Sequence, residues 1–188
     1  MGPAEEFYNI IWINSVDSTN NELRRRLPGL PSGTVLAARQ QTAGRGQGDH
    51  VWLSSPSENL TFSILLRFRE SVRLPAKRIG RINDVLCPLI VSYLEGHGIT
   101  ARIKLPNDIW VADRKICGIL IENILSGDCV SESIIGIGLN LNQTIWPANL
   151  PNPVSIKELT GKTPDPEEEL GRFCAAVIPP LVEGLASE

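Results

Sequence analysis

The chain has 188 residues, 42% of them hydrophobic, and balances 18 Lys and Arg against 21 Asp and Glu for a formal charge of −3. That length and apolar content predict one domain spanning residues 1–188, able to bury roughly 70% of its unfolded surface without disulfides. An acidic chain with a pI near 5.5 lacks the electrostatic footprint of a duplex-DNA binder. Met1 to Glu6 is polar and acidic, and no apolar run is long enough to span a bilayer, so neither export nor membrane insertion is expected. Cys87, Cys117, Cys129 and Cys174 form no C-x-x-C pair and have only His50 and His97 as further soft ligands. They read as reduced thiols of a cytoplasmic protein, not as a zinc site.

Phe7 to Ile13 is the first strand candidate. Val16-Asp17-Ser18-Thr19-Asn20 then offers short oxygen-bearing side chains to cap a helix running to Leu27, which Pro28-Gly29 stops. Thr34 to Gln40 reads as a buried strand, followed by a flexible loop, Thr42 to His50, whose glycines and polar groups mark it as a place where function concentrates. Leu60 to Phe68 alternates as a strand does. The basic stretch after it (Arg67, Arg69, Arg73, Lys77, Arg78, Arg81) reads as a solvated face, with docking of an acidic partner as the alternative.

From Pro75 to His97, Ile79, Ile82, Leu86, Leu89, Ile90, Tyr93 and Leu94 recur at helical spacing, and Pro88 is expected to kink or split that helix near Asp84. Ala101 to Leu105, Lys115 to Ile124 and Ser133 to Leu139 read as three further strands. Past Asn142 the chain is Pro-rich, with a short helix at Val154 to Thr160 and a last one from Pro166 to Ile178 that Pro179-Pro180 is expected to end. Strands and helices mix without a βαβ rhythm, which predicts an α+β domain with a mixed β-sheet flanked by helices.

Several motifs fail on inspection. Gly161-Lys162-Thr163 lacks the earlier glycine of a P-loop, Ile156 standing in its place, and neither Gly44-x-Gly46 nor Gly136-x-Gly138 completes a dinucleotide fingerprint. Three polar, glycine-containing segments remain: Gly44 to Trp52, Lys104 to Gly118 and Gly136 to Asn142. Glycines admit close backbone approach to an anion, Arg45 and Lys115 supply positive charge, and Trp52 offers a flat face for a base. The combination suits an adenylate-forming pocket.

The same segments carry a resemblance. Asp17-Ser18-Thr19-Asn20, Gln41-Thr42-Ala43-Gly44-Arg45-Gly46 with Trp52-x-Ser54, Lys104-Leu105-Pro106-Asn107-Asp108-Ile109, Asp113 to Glu122 and Gly136 to Asn142 occur in the order found in the biotin–protein ligase family. The chain resembles that family from about residue 7 to 178. The resemblance implies the ligase catalytic domain, related to class II aminoacyl-tRNA synthetases and lipoate ligases, without a DNA-binding domain in front and without the small C-terminal barrel domain. It implies two steps: biotin and ATP form biotinoyl-5'-AMP, and biotin passes to a specific lysine of a biotin carboxyl carrier domain of a biotin-dependent carboxylase.

By resemblance, Lys115, Arg45 and Asp108 are catalytic. Lys115 lies between the biotin carboxylate and the phosphate, Arg45 contacts the phosphate and orders its loop, and Asp108 orients the incoming amine. Ser18, Thr19, Gln41, Gly44, Arg45, Lys115 and Gly118 are implied for biotin, with helix capping as the other role open to Ser18 and Thr19. Gly46, Trp52, Asn107 and Asn140 are implied for ATP and the adenylate. Mg²⁺ is expected with the triphosphate, and no protein ligand is assigned to it. An exposed sheet edge leaves a homodimer open.

The sequence departs from the family where relatives commonly carry further Gly-Arg pairs: here Gln47-Gly48-Asp49-His50 follows Gly46, which puts tight retention of the adenylate in question. Leu105 stands where tryptophan is usual and Cys117 where a small residue is usual. A lipoate or octanoate transferase is the nearest enzyme alternative, and a binding module that holds biotin without transferring it is the alternative from another class.

Overall fold

Strands β1 (Asn9–Val16), β2 (Thr34–Gln41), β3 (Leu60–Arg67), β4 (Leu74–Pro75), β5 (Arg102–Lys104), β6 (Asp108–Val111), β7 (Arg114–Ser126) and β8 (Cys129–Leu139) form one sheet. They run in the order β1-β2-β3-β8-β7-β6-β5, with β4 pairing beside β8. The coordinates are a computed structural model describing residues 7–68 and 73–186, so Met1 to Glu6 and Arg69 of the basic stretch lie outside them. β1 and β2 pair in parallel and the other pairs are antiparallel, giving the mixed sheet that the sequence predicts.

Period-two alternation sorts the side chains onto two faces. Across the sheet Phe62 pairs with Ile137 and Ile137 with Ile119, while Ile64 pairs with Ile135 and Ile135 with Ile121. These residues join one apolar core with helices α2 (Arg81–Glu95) and α4 (Pro166–Ala186). Phe62 and Tyr93 each meet the Phe173 ring edge-on, with centroids 5.2 and 5.0 Å away. The intervening positions, Thr61, Ser63, Gly136, Gly138 and Gly118, pair with one another in the same registers and face the other way. There helix α1 (Thr19–Arg26) packs Leu23 on Leu36, Leu65 and Ile134, covering part of that face and leaving the rest open.

One expectation about proline is narrowed and a second is corrected. Pro88 does not split its helix, which runs unbroken from Arg81 to Glu95, preceded by a separate short turn at Ala76–Arg78. Pro179-Pro180 does not end the last helix, which continues to Ala186. The prolines leave the carbonyls of Ala175 and Ala176 without helical donors, but both alanines lie on the exposed face, where water can serve them. On the inner face Val177, Ile178 and Leu181 are wholly buried, and Arg81 Nη2 holds the last turn through the Gly184 carbonyl at 2.9 Å. Burial outweighs propensity here.

Two short strands escape sequence reading: β4, and β6 directly after the Pro106-Asn107 turn. The basic stretch is partly spent inside the fold. Arg67 pairs with Glu132 at 2.8 Å and donates to the carbonyls of Leu30 and Leu27. Gly161, of the rejected P-loop string, is the left-handed cap (φ 72°) of helix α3 (Ile156–Thr160), whose other end is closed by a Ser155/Glu158 capping box.

Candidate active site

Small residues make the floor. A Cβ on Gly138 would fall 2.2 Å from Cε2 of Trp52, and one on Gly118 2.9 Å from its Cζ3, so the indole lies directly on the backbone of β7 and β8. A Cβ on Gly136 would meet the Asn20 amide oxygen at 2.4 Å. Above this floor is a cavity of about 410 Å³, walled by α1, the loop after β2, and β6.

At the α1 end, Ser18 holds the N-cap position in an extended conformation, yet its hydroxyl makes no capping bond. The backbone N–H of Thr19 donates to Gln41 Oε1 at 2.8 Å, which fixes that amide and leaves Nε2 as its free end. Ser63 Oγ lies 2.5 Å from Asn20 Oδ1 and 2.7 Å from Thr19 Oγ1. Because Asn20 Oδ1 can only accept, the Ser63 proton goes to it, and Thr19 Oγ1 keeps lone pairs for a ligand N–H. Ser18, Thr19 and Gln41 thus present acceptors and an amide donor side by side, the complement of a small ring carrying N–H and C=O groups.

The other end is charged. Lys115 Nζ contacts Asp108 Oδ1 at 2.7 Å and lies 5.6 Å from the Trp52 ring centroid. Asp108, the first residue of β6, pairs across the strands with Gly118, and Trp110 pairs with Lys115. Lys104 sets its ammonium 3.7 Å over the Trp110 ring. The indole N–H groups of Trp52 and Trp110 are buried and have no protein acceptor among the described residues. Such donors cost roughly 1–3 kcal/mol each when left unpaired, a cost a ligand can offset. Asn107 donates its amide to the Ile119 carbonyl and accepts the Ile119 N–H at 3.0 Å through its own carbonyl, tying the β6 turn to β7.

The loop read as flexible is a narrow hairpin. Arg45 bridges to Val51, Trp52 N–H donates to the Gly44 carbonyl at 3.0 Å, and Gly46 N–H to the His50 carbonyl at 2.7 Å. It brings Arg45 and Gly46 to the cavity wall. Arg45 pairs with Glu122 at the far end of the floor, Nη2 lying 3.1 Å from Oε1. Burial alone would raise the Glu122 pKa, but hydrogen bonds from Asn20 and Arg45 and the charges of Arg45 and Arg24 outweigh it and hold the carboxyl below its usual range.

All the residues implied by resemblance line this cavity except Gly44 and Asn140. Gly44 is at the base of the hairpin, against its returning strand, where a Cβ would meet the Trp52 carbonyl at 2.4 Å. Asn140 is buried, and its amide donates to the carbonyls of Lys115 at 3.2 Å and Val154 at 3.1 Å, which anchors the strand end that carries Lys115. Sequence reasoning did not single out Asn20, Ser63, Glu122 or Trp110. For Glu122 a signal existed, since period two puts it on the same face as Gly118 and Leu120.

Residues 12–140 match the Biotin/lipoate A/B protein ligase family, and the chain belongs to it. The structure superposes on a biotin protein ligase from Aquifex aeolicus in complex with biotin and ATP with a TM-score of 0.76 and 32% identity, covering 95% of this chain and 71% of that one. It is 33% identical over 165 residues to the biotin--[acetyl-CoA-carboxylase] ligase of Paracoccus denitrificans, covering 85% of this chain and 68% of that protein. It is 35% identical over 132 residues to the bifunctional ligase/repressor BirA of Bacillus subtilis, covering 70% of this chain and 39% of the relative's length.

Proposed function

We propose that the protein is an ATP-dependent biotin–protein ligase, forming biotinoyl-5'-AMP and passing the biotinoyl group to a lysine of a biotin carboxyl carrier domain in the cytoplasm. The observation that carries the reading is the Lys115–Asp108 pair, 2.7 Å apart, in the same cavity as the Ser18, Thr19 and Gln41 cluster. Polar groups that suit a ureido ring sit at one end and a cation that suits an acyl phosphate at the other.

In the first step a carboxylate oxygen of biotin attacks the α-phosphorus of ATP, the bond to the bridging oxygen breaks, and pyrophosphate leaves. Lys115 draws the two anions together and offsets the charge that builds on the α-phosphate; donors of this kind contribute on the order of 3 kcal/mol to the transition state. In the second step the lysine amine attacks the carbonyl of the mixed anhydride and AMP leaves. Asp108, beside Lys115 in the cavity wall, is suited to receive the amine's proton and orient its lone pair. Trp52 and the hairpin shield the anhydride from water. Asp108 is the one carboxylate in the cavity wall among the described residues, and a single carboxylate makes no metal cage, so Mg²⁺ fits here as a passenger of the triphosphate.

The test is pyrophosphate release from ATP and Mg²⁺ with biotin, in parallel with lipoate, coupled to mass measurement of a carrier domain. Biotin-dependent release with a mass gain on the carrier is the expected result. Release with lipoate alone would make the protein a lipoate ligase, and binding of biotin without release would leave only a binding module.

A further inference from the structure

We propose that Glu122 is a positioning residue that aims Arg45, occupying one edge of its guanidinium and leaving the other turned to an oxyanion in the cavity. A guanidinium has five N–H donors in a fixed plane. Arg45 Nη1 spends its hydrogens on Asn21 Oδ1 at 2.8 Å and Glu122 Oε2 at 3.2 Å, and Nη2 spends one on Glu122 Oε1 at 3.1 Å. The remaining Nη2 hydrogen and the Nε hydrogen lie side by side on the adjacent edge. Those two parallel donors match the spacing of two oxygens on a phosphate or carboxylate.

The anchor is itself fixed. Asn20 Nδ2 donates to Glu122 Oε2 at 2.9 Å, and Asn20 is held by the Leu120 carbonyl and by Ser63, whose hydroxyl also meets Thr19. Arg24 adds a second guanidinium 3.4 Å from Glu122 Oε1, so two cations share one carboxylate and the cluster keeps a net positive charge. Glu122 therefore orients Arg45 without cancelling its attraction for an anion. The need is local: Arg45 is 41% exposed on a loop containing Gly44, Gly46 and Gly48, and no second arginine or lysine stands among residues 46–52. Fixing a long side chain before the ligand arrives removes rotamer entropy from the binding step.

The inference rests on the ligase reading for the identity of the oxyanion, the acyl-phosphate of the adenylate, but not for the anchoring itself. Two measurements on wild type, Glu122→Gln, Arg45→Ala and the double variant separate them. The first is amide hydrogen exchange of residues 44–52 in the protein without ligand. We expect Glu122→Gln and Arg45→Ala each to accelerate exchange and the double variant to add nothing. The second is kcat/KM for biotin-dependent pyrophosphate release, expected to fall about tenfold or more for Glu122→Gln in the Arg45 background and less than twofold in the Arg45→Ala background.

An equal loss in both backgrounds would mean that Glu122 acts through the fold. Unchanged exchange and unchanged kcat/KM in Glu122→Gln would overturn the proposal. A wild type that releases no pyrophosphate but shows the exchange pattern would overturn the ligase reading and leave the anchor standing. Should Glu122→Gln fail to fold, Asn21→Ala removes the other Arg45 acceptor from the surface of α1 and must shift both measurements in the same direction by less.

Discussion

On the side of the sheet covered by α2 and α4, Phe62, Ile64, Ile135 and Phe173 are all at most 1% exposed and belong to one apolar core. On the other side of the same strands, at the alternate positions, sit Thr61, Ser63, Gly136, Gly138 and Gly118. The first face is filled by bulk. The second is kept low by glycines so that Trp52, Asn20 and a ligand can approach the backbone. One set of strands thus separates the requirements of stability from those of chemistry, and each side should fail in its own way when altered.

The largest effect is expected on the packed face. Phe173→Ala removes a ring that meets both Phe62 and Tyr93 and should cost about 3–5 kcal/mol of unfolding free energy. The surviving folded fraction should keep its KM for biotin, and denaturant melts with steady-state kinetics would show both. Lys115→Met on the open face should do the reverse, lowering biotin-dependent pyrophosphate release about a hundredfold, on the order of 3 kcal/mol, with the melting curve almost unmoved. A variant that melts early would blur the division between the faces.

Gly138→Ala sharpens it further, because the new methyl would fall 2.2 Å from the Trp52 ring and must displace it. Overpacking of this kind costs about 1–3 kcal/mol. A ring that lifts instead of straining should appear as weaker ATP affinity, a changed Trp52 fluorescence on ligand addition and little loss of stability. The smallest effect is electrostatic. Glu122 and Glu158 both titrate below the ordinary glutamate value of 4.5, despite burial, because of their bonds to Asn20 and Arg45 and to Arg114. A depressed folded-state pKa contributes stability that is present above about 4.5 and is lost as pH falls through the folded value. Stability should therefore decline on acidification below that point, and less steeply in Glu122→Gln, as urea midpoints measured along a pH series would report.

Most of the sheet was legible because β2, β3, β7 and β8 carry long apolar or alternating patterns, and α2 and α4 recur at helical spacing. What was not legible depended on long-range packing. The Pro179-Pro180 pair reads as a stop until α2 covers the inner face of the helix. The four residues of β6 are too few to show a period. In the site, glycine-containing segments and their charges marked Arg45 and Lys115 and the family resemblance added Asp108, whereas Ser63 shares a largely apolar strand with a second hydroxyl, Thr61, on the same face, and nothing local distinguishes it. Asn140 shows the opposite limit: a polar residue in a suggestive motif whose amide is spent on the backbone.

β7 carries Lys115 and Gly118 in the part that pairs with β6, and Glu122 further along, where the strand pairs with β8. The strand therefore behaves as a ruler whose marks are held in register by β8. Substitution at one mark alters one contact, but inserting a single residue between Gly118 and Glu122 would shift the parity of everything after it. The carboxylate would turn toward α2 and α4 and an isoleucine toward the cavity. Along this segment the protein can drift in composition far more easily than in length.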